Sequence, residues 1–296
     1  MKSPENINLP YFAYGIFKPY ELAYHKISKL VDEKHGPFPL NNCCLWIRDG
    51  LPLIQFHTDG EVYGFKLKFR ETECEDAYKT ISDFLSKGEA GPYEWDVIEL
   101  KNEESDDPIK INVLIGQELG KGSIKTGLPE WSAKEDPTFT KAMDKIKSKI
   151  KDFAEIKFDE DSFEWVRFFE LEMAYLLLWT AIERYCSFAY GPFVDPTKKI
   201  RTLSYGDPFR SALKEVLNQS ERVKKIPELY DSRYLDRWRK LDAEQPVYSI
   251  EYYYLVRSNL VHRGKSEWVD GEIIRLSLKE LFEIFQTVLE KTLFSQ

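Results

Sequence analysis

From Phe163 to Tyr190 the chain places Trp165, Phe168, Phe169, Met173, Leu176, Leu177, Trp179, Ile182, Tyr185 and Cys186 around most of the circumference of one helix. A helix apolar nearly all round cannot lie on a surface, so it predicts the middle of a bundle or an oligomer interface. The exceptions are Glu170, Glu172, Glu183 and Arg184. A charge on such a helix is costly unless paired. Glu183 is therefore either the partner of Arg257 or a neighbouring arginine, or half of an ordinary intrahelical surface pair.

The sequence around this run is also helical in pattern. Phe139 to Phe153 carries Met143, Ile146, Ile150 and Phe153 on one stripe, with lysines opposite. Gly191-Pro192 ends the long helix, Asp207 to Leu217 reads as another, and Pro246 precedes a further one. Ser277-Leu-Lys-Glu280 reads as a capping box opening the last helix. Residues 141–296 are expected to form an all-α domain.

Within it, Lys198 to Lys240 holds twelve Lys and Arg against six Asp and Glu, in a chain whose formal net charge is -8. Tyr205, Tyr230, Tyr234 and Trp238 lie among these cations, where bases could stack on rings while cations hold phosphates. The competing expectation is that Tyr234 and Trp238, four apart, face the core while Arg233, Arg237 and Arg239 face water. The core reading is preferred for the aromatics.

The first part has a different grain. Tyr11 to Gly15 reads as a buried strand, Tyr20 to Val31 as a helix, and Glu75 to Ser86 as a helix with Ala77, Tyr78, Ile81, Phe84 and Leu85 at helical spacing. Cys43–Ile47, Leu51–Phe56, Glu61–Phe69, Trp95–Leu100 and Ile109–Ile115 read as strands. Asp49-Gly50, Asp59-Gly60 and Gly91-Pro92 supply turn signals. Residues 1–118 are thus expected to be an α+β domain, a small mixed β-sheet or barrel with helices. Residues 119–140, rich in Gly and Pro, are expected to be a linker, with Trp131 plugging back onto a domain.

Length agrees, since 296 residues suit two domains. Cys43, Cys44, Cys74 and Cys186 show neither a C-x-x-C spacing nor a secreted framework, which predicts reduced thiols and a cytoplasmic protein. The apolar stretch Met173–Ile182 is far shorter than the ~20 residues a membrane span needs. His25, His35 and His57 lack zinc-site spacing, and no Walker-type or dinucleotide glycine loop occurs, so no metal and no cofactor are expected.

The candidate for chemistry is Tyr252-Tyr-Tyr-Leu-Val-Arg-Ser-Asn-Leu-Val-His-Arg-Gly-Lys265. Arg257 and His262 stand in an R-x-x-x-x-H element. At ~100° per residue, side chains five apart diverge by ~140°, so either the helix distorts or the two residues meet through a partner. A histidine near pH ~6.5 can hold or release a proton, and a helix C-terminus favours its charged form. Arg257 can fork two phosphate oxygens. Asn259 either donates to the same phosphate or caps backbone. Arg263 and Lys265, with Arg233, Arg237 and Arg239, are candidate RNA contacts.

This element and its flanking helices resemble the HEPN superfamily, especially its ApeA-like branch, from Phe163 to the C-terminus. The resemblance implies an all-α HEPN-like bundle acting as a homodimer. It also implies metal-independent RNA cleavage by Arg257 and His262, supported by Asn259 and Glu183, in an effector of the defence or toxin kind with an antitoxin or regulatory partner. Gly264 stands where some HEPN toxins carry a tyrosine modified by a partner nucleotidyltransferase, which argues against that partner. The alternative is a HEPN module with weak or no catalysis that binds RNA or a protein.

Residues 10–118, with Phe12-Ala-Tyr-Gly15, Glu61 to Leu67 and Gly91 to Val97, are similar to the γ-glutamylcyclotransferase-like fold. That similarity places Tyr14, Gly15, Ile16 and Tyr93 at a ligand site. However, Ser86 lies about where the catalytic acid would be, and Asp83 and Glu89 are out of register. The domain is therefore expected to sense or regulate rather than to catalyse.

Overall fold

A computed structural model describes residues 1–87, 91–100, 108–117, 122–156, 164–220, 228–231, 234–263 and 271–294. Within them, the side chains of 57, 58, 228, 230, 231, 234–237, 262 and 263 are not described. The chain divides into two compact units, Met1–Asp136 with Ser187–Val194, and Pro137–Cys186 with Asp195–Gln296.

The first unit is built on a six-stranded mixed sheet of order β4-β5-β1-β3-β2-β6. Its strands are β1 (Tyr11–Ala13), β2 (Val31–Arg48), β3 (Leu51–Phe69), β4 (Tyr93–Leu100), β5 (Ile109–Gly116) and β6 (Ser123–Lys125). The central strand β1 runs parallel to β5 and antiparallel to β3. The β2–β3 hairpin closes through Asp49 (φ 52°) and Gly50 (φ 82°), the two left-handed positions that an Asp-Gly turn provides. Asp59-Gly60, expected as a second turn, is instead the irregularity opposite Asn42 that carries β3 through as one 19-residue strand. Helix α1 (Cys74–Leu85) buries Ala77, Tyr78, Ile81 and Leu85, as its periodicity requires.

Two expectations for this unit are corrected. Residues 20–31 are not a helix: after Tyr20 (φ 71°) the chain makes i→i+3 turns, with one short 3₁₀ stretch at Tyr24–Lys26. The buried side chains of Leu22, Ala23 and Ile27 and the Ala23 N to Ile16 O bond of 3.1 Å fix that path, and β2 already begins at Val31. Residues 122–136 are built into the unit rather than left as linker. β6 pairs with β2, Tyr63 N donates to Pro129 O at 2.8 Å, and Trp131 packs edge-on against Phe188 at 5.6 Å. Buried Lys18 holds Glu130 and donates to Trp131 O at 2.8 Å, while the Glu21 carboxylate accepts from Ala133 N at 3.1 Å. Charges this deep persist because each has a designated partner.

The second unit is helical, with α2 (Met143–Asp152), α3 (Trp165–Tyr190), α4 (Pro196–Tyr205), α5 (Asp207–Gln219), α6 (Pro246–Arg263) and α7 (Gly271–Leu289). The last residues of α3 belong to the first unit. Asp195 caps α4 by accepting from Lys198 N at 3.0 Å, with Pro196 in the first turn. Phe168, Tyr175 and Trp179 of α3, Leu213 of α5, Tyr252 and Tyr253 of α6, and Leu281 and Phe285 of α7 are buried in the core. The Tyr175 hydroxyl donates to Tyr253 O at 2.7 Å. At the N-terminal half of α3, however, Trp165, Val166, Phe169 and Met173 are exposed, so the helix is covered on fewer sides than its composition predicts.

Two further corrections follow. The unit is not all-α, because β7 (Glu228–Asp231) and β8 (Tyr234–Lys240) form an antiparallel hairpin. Ser277 does not open α7, which begins at Gly271. Ser277 is interior and buried, and the Glu280 carboxylate accepts from Ser220 Oγ at 2.8 Å and from the Tyr253 hydroxyl at 3.0 Å. That buried network takes the glutamate a capping box would have used. No helix among the described residues is long and apolar enough to cross a membrane.

Candidate functional site

α6 carries the Arg-His element in an uninterrupted helix from Pro246 to Arg263. The backbones of Arg257 and His262 therefore lie about 7.5 Å apart along its axis.

The surroundings of Arg257 are specific. Its guanidinium lies 5.5 Å from the Tyr254 ring centroid, one turn earlier on α6. Its Nη2 is 3.5 Å from Glu183 Oε1 on α3. Behind Tyr254, the buried Trp179 ring meets it edge-on at 5.3 Å. A planar cation against an aromatic face is held in orientation as well as in place. Side-chain exposures of 27% for Arg257 and 38% for Glu183 leave the pair accessible to solvent.

Three turns of α3 thus serve one locality, with Trp179, Glu183 and Cys186 at i, i+4 and i+7. Burial pushes the Cys186 thiol well above its ordinary range, so it is an inert packing group. Lys199 of α4 is buried, and burial lowers its ammonium below the usual lysine value, against the opposing fields of Cys186 and Glu183. Glu183 accordingly sits in the field of two cations, Lys199 and Arg257.

Asn259 is half-buried on α6. The side chains of His262, Arg263 and Arg237 lie outside the described residues, as do Arg233 and Lys265 entirely. Arg239 is described, and it points to a carboxylate: its Nε donates to Glu251 Oε2 at 2.6 Å. Trp238 beside it is exposed, which corrects the expectation that it faces the core. In a strand, consecutive residues alternate faces, so Trp238 and Arg239 cannot share one.

In the first unit Tyr14, Ile16 and Tyr93 are buried, and desolvation, with a smaller contribution from Tyr93, raises the Tyr14 phenol. Their hydroxyls are engaged, Tyr14 with Leu114 O and Tyr93 with Pro52 O, each at 2.8 Å. Pro52 Cγ would stand 2.6 Å from a Cβ on Gly15, so only glycine admits that approach. Pro52 thus packs directly onto Gly15. Ser86 is buried and donates to Ser82 O at 2.7 Å, Asp83 is exposed, and Glu89 lies outside the described residues.

Sequence reasoning missed three residues that organise the second unit: Tyr254, Lys199 and Glu251. Tyr254 was findable, since an aromatic three residues before an arginine on a helix shares its face. The others depend on contacts among α3, α4, α6 and β8, which no local pattern encodes. Compared with known proteins, the chain matches no protein-family model, no curated protein and no solved structure.

Proposed function

We propose that the chain is a metal-independent endoribonuclease of the HEPN type, an effector of the defence or toxin kind that works as a homodimer. The observation that carries the reading is Arg257, oriented by Tyr254 and Glu183 yet still accessible, on the helix whose last turn bears His262.

In this reading Arg257 binds the non-bridging oxygens of the scissile phosphate and stabilises the charge that accumulates as the 2'-oxygen, its proton passing to water, bonds to phosphorus. His262, in the last turn of α6 where the helix dipole favours its imidazolium, protonates the leaving 5'-oxygen. Asn259 hydrogen-bonds the same phosphate. Arg263, Lys265, Arg233, Arg237 and Arg239 hold the flanking backbone. The ~140° that five residues turn on a regular helix supports a site composed from two copies, with Arg257 of each chain acting beside His262 of the other. The exposed stripe of Val166, Phe169 and Met173 on α3 suits burial by a second copy. The first unit is read as the sensing or regulatory part, and an antitoxin or regulatory partner would act through it.

The test is incubation of wild type, His262→Ala and Arg257→Ala with structured RNA in EDTA, followed by end-group analysis. Wild-type fragments with 2',3'-cyclic phosphate or 3'-phosphate ends, absent from both variants, are expected. If His262→Ala binds RNA as wild type does and no form cleaves it, the chain is a binding module. Met173→Glu is expected to convert a dimer to a monomer by light scattering and to abolish cleavage; an active monomer would sink the composite site.

A further inference from the structure

The surface around Glu251 has a construction that the Arg-His element does not explain. Glu251, largely buried on α6, joins two arginines from different elements. From α4, Arg201 places its Nε and Nη2 on Oε1, each at 2.6 Å; from β8, Arg239 places its Nε on Oε2 at 2.6 Å and its Nη1 on Trp238 O at 2.9 Å. Among the described residues this leaves Nη1 of Arg201 and Nη2 of Arg239 without a partner. One carboxylate thus fixes two guanidiniums in orientation, leaves a donor on each, and cancels only one of their two charges.

Beside this clasp stand two rings that a folded core would normally claim. Tyr205, one turn after Arg201 on α4, is 67% exposed, and Tyr248, one turn before Glu251 on α6, is 50% exposed. Exposed rings with no cations would suit any apolar partner, and cations alone would suit any acidic one. The interleaving of flat rings with oriented, incompletely used guanidiniums favours a ligand that alternates π faces with anionic oxygens.

We infer that Arg201, Arg239, Tyr205 and Tyr248 form a docking surface for single-stranded nucleic acid, with bases stacked on the rings and phosphates on the two guanidiniums. It rests on the reading of the chain as acting on RNA, and it specifies the class: an unpaired strand. A duplex, whose bases are already stacked on each other, has no faces to offer the rings.

The test uses the full chain and a short fluorescent oligodeoxyribonucleotide, which stacks like RNA but lacks the 2'-hydroxyl needed for cleavage, beside a duplex of the same length. Anisotropy is expected to show tighter binding of the single strand. Tyr205→Ala with Tyr248→Ala is expected to weaken it by about tenfold or more, and the Phe replacements to restore it. Arg201→Gln is expected to flatten the salt dependence. Unchanged affinity in the alanine pair, preference for the duplex, or no binding by wild type each overturn the inference, the last in favour of a protein partner. Binding through the rings by a chain that cleaves no RNA would keep this surface and remove the nuclease reading. Cleavage with ring-independent binding would do the reverse.

Discussion

Lys18 in the first unit and Arg257 in the second are both cations paired with a carboxylate, and they are held in opposite ways. Lys18 is buried with its donors on Glu130 and the Trp131 carbonyl, so its charge is committed to fastening one segment of its own chain. Arg257 rests on a ring, 3.5 Å from a half-exposed carboxylate, and remains accessible. The first arrangement spends its hydrogen bonds inward and serves the fold. The second keeps a positioned cation available to something outside the chain.

Arg257→Ala tests that contrast with the largest effect. Loss of one group that stabilises transition-state charge should lower RNA cleavage by about 10²–10³-fold. The urea midpoint should hardly move, because pairs this exposed contribute about 0–1 kcal/mol. If stability falls as far as cleavage does, Arg257 is a structural group and the contrast fails. Lys18→Met probes the other side. It strands the Trp131 carbonyl, and chemical denaturation should show a loss of about 1–3 kcal/mol, with cleavage per folded molecule unchanged.

Tyr254→Leu sharpens the comparison further. Removing the ring under Arg257 should cost about 0.5–1 kcal/mol of orientation, read as a few-fold drop in kcat with KM nearly constant and rescued by Tyr254→Phe. An equal drop from Phe would place the effect in the hydroxyl instead. The smallest effect is a pH dependence at Glu21. Burial, its largest influence, raises this carboxyl above its ordinary value. A raised folded value contributes stability that is fully present below the unfolded value near 4.5 and is lost as pH rises through the folded one. Glu21→Gln should remove that decline, so identical stability profiles for variant and wild type between pH 4.5 and neutrality would refute it.

What could be read in advance follows from the range of the determining contacts. α1 and α3 are set by side chains within a few turns, and their positions were legible to within a residue or two. The hairpin of β7 and β8 was not, because Tyr234 and Trp238 are four apart, a spacing that serves a strand and a helix equally. Residues 122–136 looked like linker since their anchors, Lys18 and Glu21, lie more than a hundred residues away in sequence. At the candidate site, the pairing of Glu183 with Arg257 was one of the two outcomes its place on an apolar helix allows. Glu251, holding arginines fifty residues before it and twelve before it, could be seen only in the fold.

The division of the long helix α3 bears on how the protein can be taken apart. Its interior belongs to the second unit, but Ser187–Val194 belong to the first, where Phe188 packs against Trp131. The first unit is therefore discontinuous in sequence, with the start of the second threaded through it. A single protease nick or gene truncation cannot release both units whole: a fragment ending at Asp136 lacks Phe188, and one beginning at Pro137 carries it away. Separate expression of the first unit would need residues 187–194 grafted back by circular permutation or a designed loop.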